Sequence, residues 1–167
     1  TWNGDTYDYD ATTNSTGKKV PSHSQVAIMK WYVPENIANE YDGSLDYYVI
    51  RYAEVLLSLS EAMIEKGGYS QDEITKYINE VRQRVNMPKV EDVEGTGLSQ
   101  EQLRQIVRHE RRVELAFEDL RFADLYRWGE WKNSIERINK EFETYGTAGN
   151  YVRSYRGDRD DVWPIPQ

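Results

Sequence analysis

The fold is decided by residues 109–129, His-Glu-Arg-Arg-Val-Glu-Leu-Ala-Phe-Glu-Asp-Leu-Arg-Phe-Ala-Asp-Leu-Tyr-Arg-Trp-Gly, where charged and apolar residues are interleaved at helical spacing. A ladder of acids and bases recurs there at three- and four-residue steps: Glu110, Glu114, Glu118, Arg121, Asp124 and Arg127. Residues at these spacings are neighbours on one helical face. Exposed pairs of this kind contribute only about 0.2–0.5 kcal/mol each. Because many aromatic and aliphatic residues accompany the ladder, we expect it to be partly buried.

The ladder has two chemical interpretations. Paired carboxylates are the catalytic groups of most glycosidases. A carboxylate with an arginine three or four positions away, however, has a lowered pKa and is a poor general acid. We therefore expect a structural network of ion pairs and hydrogen bonds that fixes the last helices on the core, and no enzymatic activity.

Composition narrows the class of protein. The 167 residues are enough for one domain with a substantial core, and 21 basic against 29 acidic residues give a net charge of −8. Without a block of Lys or Arg, this balance argues against nucleic acid as a partner. The chain has no cysteine and no apolar run near the roughly 18 residues of a membrane span. It begins at Thr1 instead of Met, so we expect any targeting signal to lie upstream.

Three segments follow one another along the expected single domain, residues 1–167. Residues 1–45 are irregular and rich in turn-forming residues, except that residues 25–33 predict a short strand before Pro34. Residues 46–143 have helical periodicity and form the predicted core. Residues 144–167 are predicted to be loop and extended tail, since prolines restrict their neighbours. The predicted fold class is all-α with long irregular loops.

The core begins with a predicted helix pair. A broad apolar stripe predicts a helix over residues 46–66, which a Gly-Gly pair ends. Ser70 or Asp72 caps a second helix that stops before Pro88. So short a turn predicts antiparallel packing, and the pair has the size of a tetratricopeptide unit. Such a pair cannot bury its own apolar face, so we expect the third helix to cover it.

The rest of the core contains further helices. Residues 87–98 are expected to be a polar loop. Ser99 with Gln102 forms a capping box that opens the third helix, which leads into the ladder. Residues 131–142 predict another amphipathic helix.

Aromatic residues are the candidates for ligand binding. The chain has 13 Tyr and 5 Trp against 3 Phe, and a sugar ring stacks well on exposed rings of the first two kinds. Tyr48, Tyr52 and Tyr77 lie in predicted helices and are expected in the core. The candidates on loops are Trp2, Tyr7, Tyr9, Trp31 and Tyr32, followed by Tyr145, Tyr151 and Tyr155.

Metal-binding patterns are incomplete. His109-Glu110 begins like a zinc-protease motif, but the second histidine of that motif is replaced by valine. Asp8, Asp10 and Asn14 resemble a calcium loop that lacks its glycine and its final glutamate. We expect neither a metal nor another cofactor.

Four segments follow in a fixed order across residues 48–166. They are Tyr48-Tyr-Val-Ile-Arg-Tyr-Ala-Glu-Val-Leu-Leu-Ser-Leu-Ser-Glu-Ala62, Ile78-Asn-Glu-Val-Arg-Gln-Arg84, the ladder from Glu110 to Gly129, and Trp163-Pro-Ile-Pro166. Together they resemble the C-terminal region of the SusD/RagB family of surface glycan-binding lipoproteins of Bacteroidetes. One segment alone would be a weak signal, whereas four in order are specific.

The resemblance implies an all-α fold of tetratricopeptide-like helix pairs and a non-enzymatic protein. It implies a lipid anchor in the outer membrane, through an N-terminal region absent from this chain. It also implies capture of oligosaccharide or another nutrient for a SusC-like TonB-dependent transporter. A helical-repeat module that binds protein and no glycan is the alternative. Arg51, from the first segment, completes the expected structural network: Arg51, Glu110, Glu114, Glu118, Arg121, Asp124 and Arg127.

Asp119 departs from the family pattern, which usually has glycine at this position. Glycine there indicates a backbone with positive φ, and Asp is among the few other residues that tolerate it. We therefore expect the helix to break near residues 118–120.

Overall fold

The computed structural model of the protein describes residues 12–13, 19–20, 30, 46–144 and 152–157. The chain forms two compact units, residues 1–47 and 48–167. In the first unit, strands β1 (Thr12–Thr13) and β2 (Lys19–Val20) pair antiparallel. The strand predicted over residues 25–33 lies outside the described residues except for Lys30, which is in a turn.

In the described part of the second unit all regular secondary structure is helical, and the all-α prediction is confirmed. The helices are α1 (Tyr52–Lys66), α2 (Gln71–Gln83), α3 (Val90–Glu94), α4 (Gln100–Glu114), α5 (Leu120–Arg127) and α6 (Trp131–Thr144).

The turn between α1 and α2 is as predicted, whereas the start of α1 is not. Residues 46–51 are not helical, and Arg51 has an extended backbone (φ −131°, ψ 160°), so α1 begins six residues later than expected. Gly67, at φ 71°, ends α1 in a conformation that costs glycine little. The Ser70 side chain accepts the Glu73 N–H and the Glu73 carboxylate accepts the Ser70 N–H, which caps α2.

The prediction of a loop over residues 87–98 was wrong, because it contains α3. The Val90 side chain is fully buried, and its backbone N–H donates to Asn79 Oδ1 at 2.8 Å. Asn79 Nδ2 donates in turn to the Glu91 carboxylate at 2.8 Å. A five-residue helix with one buried side chain produces no measurable periodicity, which explains why the sequence pattern missed it.

The core lies where α1 packs against both α2 and α4. Gln100, at the start of α4, donates to the Ile64 carbonyl near the end of α1, while Arg111 further along α4 donates to Ser58. Helices α1 and α4 are therefore antiparallel, and α4 supplies the expected cover. The buried apolar side chains of this core are Leu56, Leu57, Ile64, Ile74, Ile78, Val81, Val90, Leu103, Val107 and Leu115.

Two of the three tyrosines expected in the core are outside it. Tyr48 and Tyr52 are 47% and 66% exposed, whereas Tyr77 is partly buried against the core. Val55 and Leu59 on α1 are also exposed. The apolar stripe of α1 is wider than the surface that α2 and α4 cover, so the same pattern includes both buried and exposed residues.

The predicted helix break is confirmed. Helix α4 ends at Glu114, and α5 begins at Leu120. Between them Phe117 (φ 62°) and Asp119 (φ 60°) adopt left-handed backbone conformations. Asp tolerates this conformation better than most residues with a side chain.

Helix α6 follows α5 after a short turn and packs on it, and the amphipathic helix predicted over residues 131–142 is confirmed. The rings of Phe122 and Trp131 meet edge to face with centroids 4.9 Å apart. The polar tail at residues 152–157 is attached to α6 because Asn139 Nδ2 donates to the Arg153 carbonyl at 2.7 Å.

Candidate functional site

Two groups of residues were predicted from the sequence, a set of ligand-binding aromatics and a charged network. The aromatics lie outside the described residues: Trp2, Tyr7, Tyr9, Trp31 and Tyr32. The network residues are all described, and all of them except Arg121 take part in ion pairs that join α1, α2, α4, α5 and the segments beside them.

Asp124 of α5 is the acceptor at the centre of this junction. Arg111 of α4 donates to both Asp124 carboxylate oxygens, from Nε and Nη2, each at 2.9 Å. The third donor of that guanidinium, Nη1, reaches Ser58 of α1 at 2.9 Å. Because the side chains of Arg111 and Asp124 are only 4% and 5% exposed, this two-point pair is shielded from water.

Glu61 of α1 is a second acceptor in the same junction. Its carboxylate accepts Arg127 Nη1 and Nη2 at 2.5 Å each, and Trp128 Nε1 at 2.6 Å. The hydrogen bonds to Glu61 raise the pKa of Arg127 above its usual value. Arg127 also donates to Asp124, so Glu61 and Asp124 share one guanidinium. The end of α5 is thereby fixed to the middle of α1.

Two further pairs fix α4 and the segment after it. Arg82 of α2 donates to Glu110 at 2.9 Å, and both side chains are buried. Arg51 donates to Glu114 and to Glu118, at 2.7 Å in each case. Burial opposes the charge of Arg51, but its hydrogen bonds to Glu118 and Glu114 outweigh burial and raise its pKa.

Arg121 lies apart from these pairs. In the described part of the chain it forms no salt bridge, and its guanidinium carbon is instead 5.7 Å from the centre of the Trp128 ring. Burial, together with the nearby Arg112 and Arg137, lowers the pKa of Arg121. The spacing of the ladder therefore does not give Arg121 an ion pair among the described residues.

These ion pairs form a clamp between the helices, in which the carboxylates already accept hydrogen bonds from arginines. Glu110, Glu118 and Asp124 are buried, in agreement with the expected burial of the ladder. Each of the three accepts a hydrogen bond from an arginine on another segment. Leaving one partner of such a pair alone costs about 3–5 kcal/mol. The chemistry that this geometry supports best is the fixing of helices.

Several members of the clamp were not predicted as site residues. Glu61 is one, and its signal was available, since it is a charged residue within the apolar stripe of α1. Arg84 is another, since its Nη2 donates to the Glu114 carboxylate at 2.8 Å. The pairing of the members other than Glu61 gave no signal, because their partners are distant in sequence: Ser58, Arg82, Arg84 and Arg111.

Two general features complete the description. Within residues 46–144 and 152–157, no three His, Asp or Glu residues are placed to hold a metal ion. None of the helices that the structure describes has the length and apolar content needed to cross a bilayer.

Comparison with known proteins places the chain in a family. The model of the SusD family matches residues 1–167. The chain belongs to the SusD family. The clamp residues lie within three of the four segments that carry the family resemblance.

Two SusD-like relatives come from Formosa agariphila. SusD-like protein P2 is 33% identical over 145 residues, which cover 83% of this chain and 26% of the relative. SusD-like protein P25 is 32% identical over 117 residues, which cover 70% and 22%. A SusD-like protein from Bacteroides fragilis, known from a crystal structure, is 38% identical in sequence over the matched region. The match covers 52% of this chain and 16% of the Bacteroides fragilis chain, with a TM-score of 0.46. The chain spans about a quarter of the length of the curated relatives it matches.

Proposed function

We propose that this chain is part of a non-enzymatic cell-surface protein that captures oligosaccharide for a SusC-like TonB-dependent transporter. The observation that carries the proposal is the match of the SusD family model to residues 1–167. Family membership supports nutrient binding in general. The proposed location is the outer membrane, with the protein held there by a lipid anchor.

The geometry of the clamp supports a non-enzymatic role. A general acid must have a carboxyl group within hydrogen-bonding reach of the substrate. In the clamp, the carboxylates of Glu61, Glu110 and Asp124 are buried and already accept hydrogen bonds from the guanidinium groups of arginines on other segments. Ligand capture is therefore proposed for the loop aromatics and not for the ladder.

The proposal is tested by screening the complete protein on a glycan array and by affinity gels that contain polysaccharide. We expect binding to at least one oligosaccharide. Trp2→Ala and Trp31→Ala should each weaken it about tenfold, since a lost stacking contact is worth about 1.5 kcal/mol. Tyr69→Ala is the matched control, because Tyr69 is an exposed aromatic in the turn between α1 and α2. Equal losses in all three variants would contradict the assignment.

A second candidate function is binding of protein through the helical repeat. It is favoured by the exposed apolar residues in and before α1, among them Val49, Ile50 and Val55. The two candidates differ in one outcome. A complete protein that binds no glycan, but co-purifies with a TonB-dependent transporter from solubilised outer membranes, would support the second.

A further inference from the structure

Four arginines line one cavity at the junction of α4, α5 and α6. Arg108 and Arg112 lie one turn apart on α4, Arg121 comes from α5, and Arg137 comes from α6. The cavity has a volume of about 370 Å³. Small-molecule sites in proteins begin at roughly 300 Å³, so the space is sufficient for a group larger than one ion.

The charge of this cavity opposes the charge of the whole chain. The net charge of the protein is −8, yet the lining contains four arginines and, among the described residues, one acid, Glu130. The Glu130 carboxylate accepts a hydrogen bond from Asn133 at 2.9 Å. None of the four arginines forms a salt bridge within residues 46–144 and 152–157, whereas the arginines of the clamp all do.

The arginines of the cavity also have unused hydrogen-bonding capacity. Arg108 Nε is buried and has no hydrogen-bond partner among the described residues, and its guanidinium carbon lies 4.8 Å from the centre of the Trp128 ring. A buried donor without a partner is costly. Arg112 and Arg137 also lie near the partly buried guanidinium of Arg121, and these like charges repel one another. An anion in the cavity would relieve both costs.

We propose that this cavity binds an oxyanion, namely the carboxylate, sulfate or phosphate group of a small ligand, through Arg108, Arg112, Arg121 and Arg137. A guanidinium presents its donors in a planar fork that matches two oxygens of such a group. The cavity brings forks from three helices to one space. Binding here does not require that the protein also capture neutral oligosaccharide.

The test is calorimetric titration of the complete protein with sodium sulfate, at constant ionic strength set with sodium chloride. Arg112→Gln and Arg137→Gln are the informative variants, because both side chains are exposed and their loss leaves the core intact. Each should weaken binding about tenfold, because each variant removes a charge-assisted hydrogen bond to the anion. Lys132→Gln is the control on α6, where an exposed positive charge is removed outside the cavity.

A parallel titration with glucose 6-sulfate and with glucose distinguishes the source of the oxyanion. Tighter binding of glucose 6-sulfate than of sulfate supports a group carried on a sugar, and equal affinities support a free ion. Binding of glucose alone would report on oligosaccharide capture and not on this cavity. The proposal is overturned if neither sulfate species binds, or if Lys132→Gln weakens binding as much as the arginine variants do.

Discussion

Replacing Arg111 with methionine is the sharpest perturbation of the clamp, because methionine keeps much of the side-chain volume and removes the charge. Three hydrogen bonds are lost, two to Asp124 and one to Ser58. Breaking one side of a buried ion pair costs about 3–5 kcal/mol. Since Arg127 still donates to Asp124, we expect a loss of about 3 kcal/mol, at the lower end of that range.

Urea unfolding at pH 7 measures this loss as a shift of the midpoint at constant slope. A double-mutant cycle is completed by measuring Asp124→Leu and the double variant Arg111→Met with Asp124→Leu. Replacing a whole buried pair by apolar residues is often nearly neutral, so the double variant should be more stable than either single variant. The control is a more exposed ion pair, Arg104 with Glu65, whose side chains are 21% and 46% exposed. Arg104→Gln should cost less than about 1 kcal/mol. A cost below 1 kcal/mol for Arg111→Met as well would refute the clamp.

Three other predictions follow from the same geometry. Asp119→Ala should lower the free energy of unfolding by about 1 kcal/mol relative to Asp119→Gly in urea titrations, because the left-handed backbone at φ 60° disfavours alanine; equal stabilities would contradict this. Arg121→Gln should cost at most about 1 kcal/mol by the same assay, the worth of its contact with Trp128, and a loss of 3 kcal/mol would show a missed ion pair. Hydrogen bonds from Arg104 and from Asn79 lower the pKa values of Glu65 and Glu91, respectively, below their usual 4.5. The stability that these two groups add is therefore present above pH 4.5 and is lost as the pH falls through the lowered pKa values. A urea midpoint that stays constant from pH 7 to pH 3 would rule this out.

The local features of the fold, namely the helix caps and the helix break, could be predicted from the sequence. The cap of α2, expected at Ser70 or Asp72 and found at Ser70, the capping box at Ser99 and the left-handed residue at Asp119 are properties of a few adjacent residues. Such signals act through the backbone of one turn, so a single sequence contains all the information they need.

The start of α1 could not be predicted in the same way. The apolar residues 48–50 continue the periodic pattern upstream of the helix, but they are exposed and not helical. Arg51 instead has an extended backbone and pairs with Glu114 and Glu118, which are 63 and 67 residues away. Only the residues of an apolar stripe against which another helix packs become buried, and the position of that helix is a property of the tertiary structure.

The pairing within the ladder was beyond the sequence for a related reason. Spacing of three and four residues predicted pairs along one helix, and Asp124 with Arg127 is such a pair. Other acids pair across helices: Glu110 with Arg82, 28 residues away, and Glu61 with Arg127, 66 residues away. The break between Glu114 and Leu120 interrupts the helix, so the spacing of the ladder does not continue along one helical face. The acids of the ladder were identified, but their partners were set by helix packing.

The ladder is assigned a structural role and the loop aromatics are proposed to capture the ligand, and one binding measurement distinguishes these two roles. The complete protein is titrated with an oligosaccharide found by the glycan array, at a temperature where all variants are folded. We predict that the double variant Arg111→Met and Asp124→Leu binds as tightly as the unaltered protein, while Trp31→Ala binds about tenfold more weakly. Loss of binding in the double variant with full binding in Trp31→Ala would contradict both assignments.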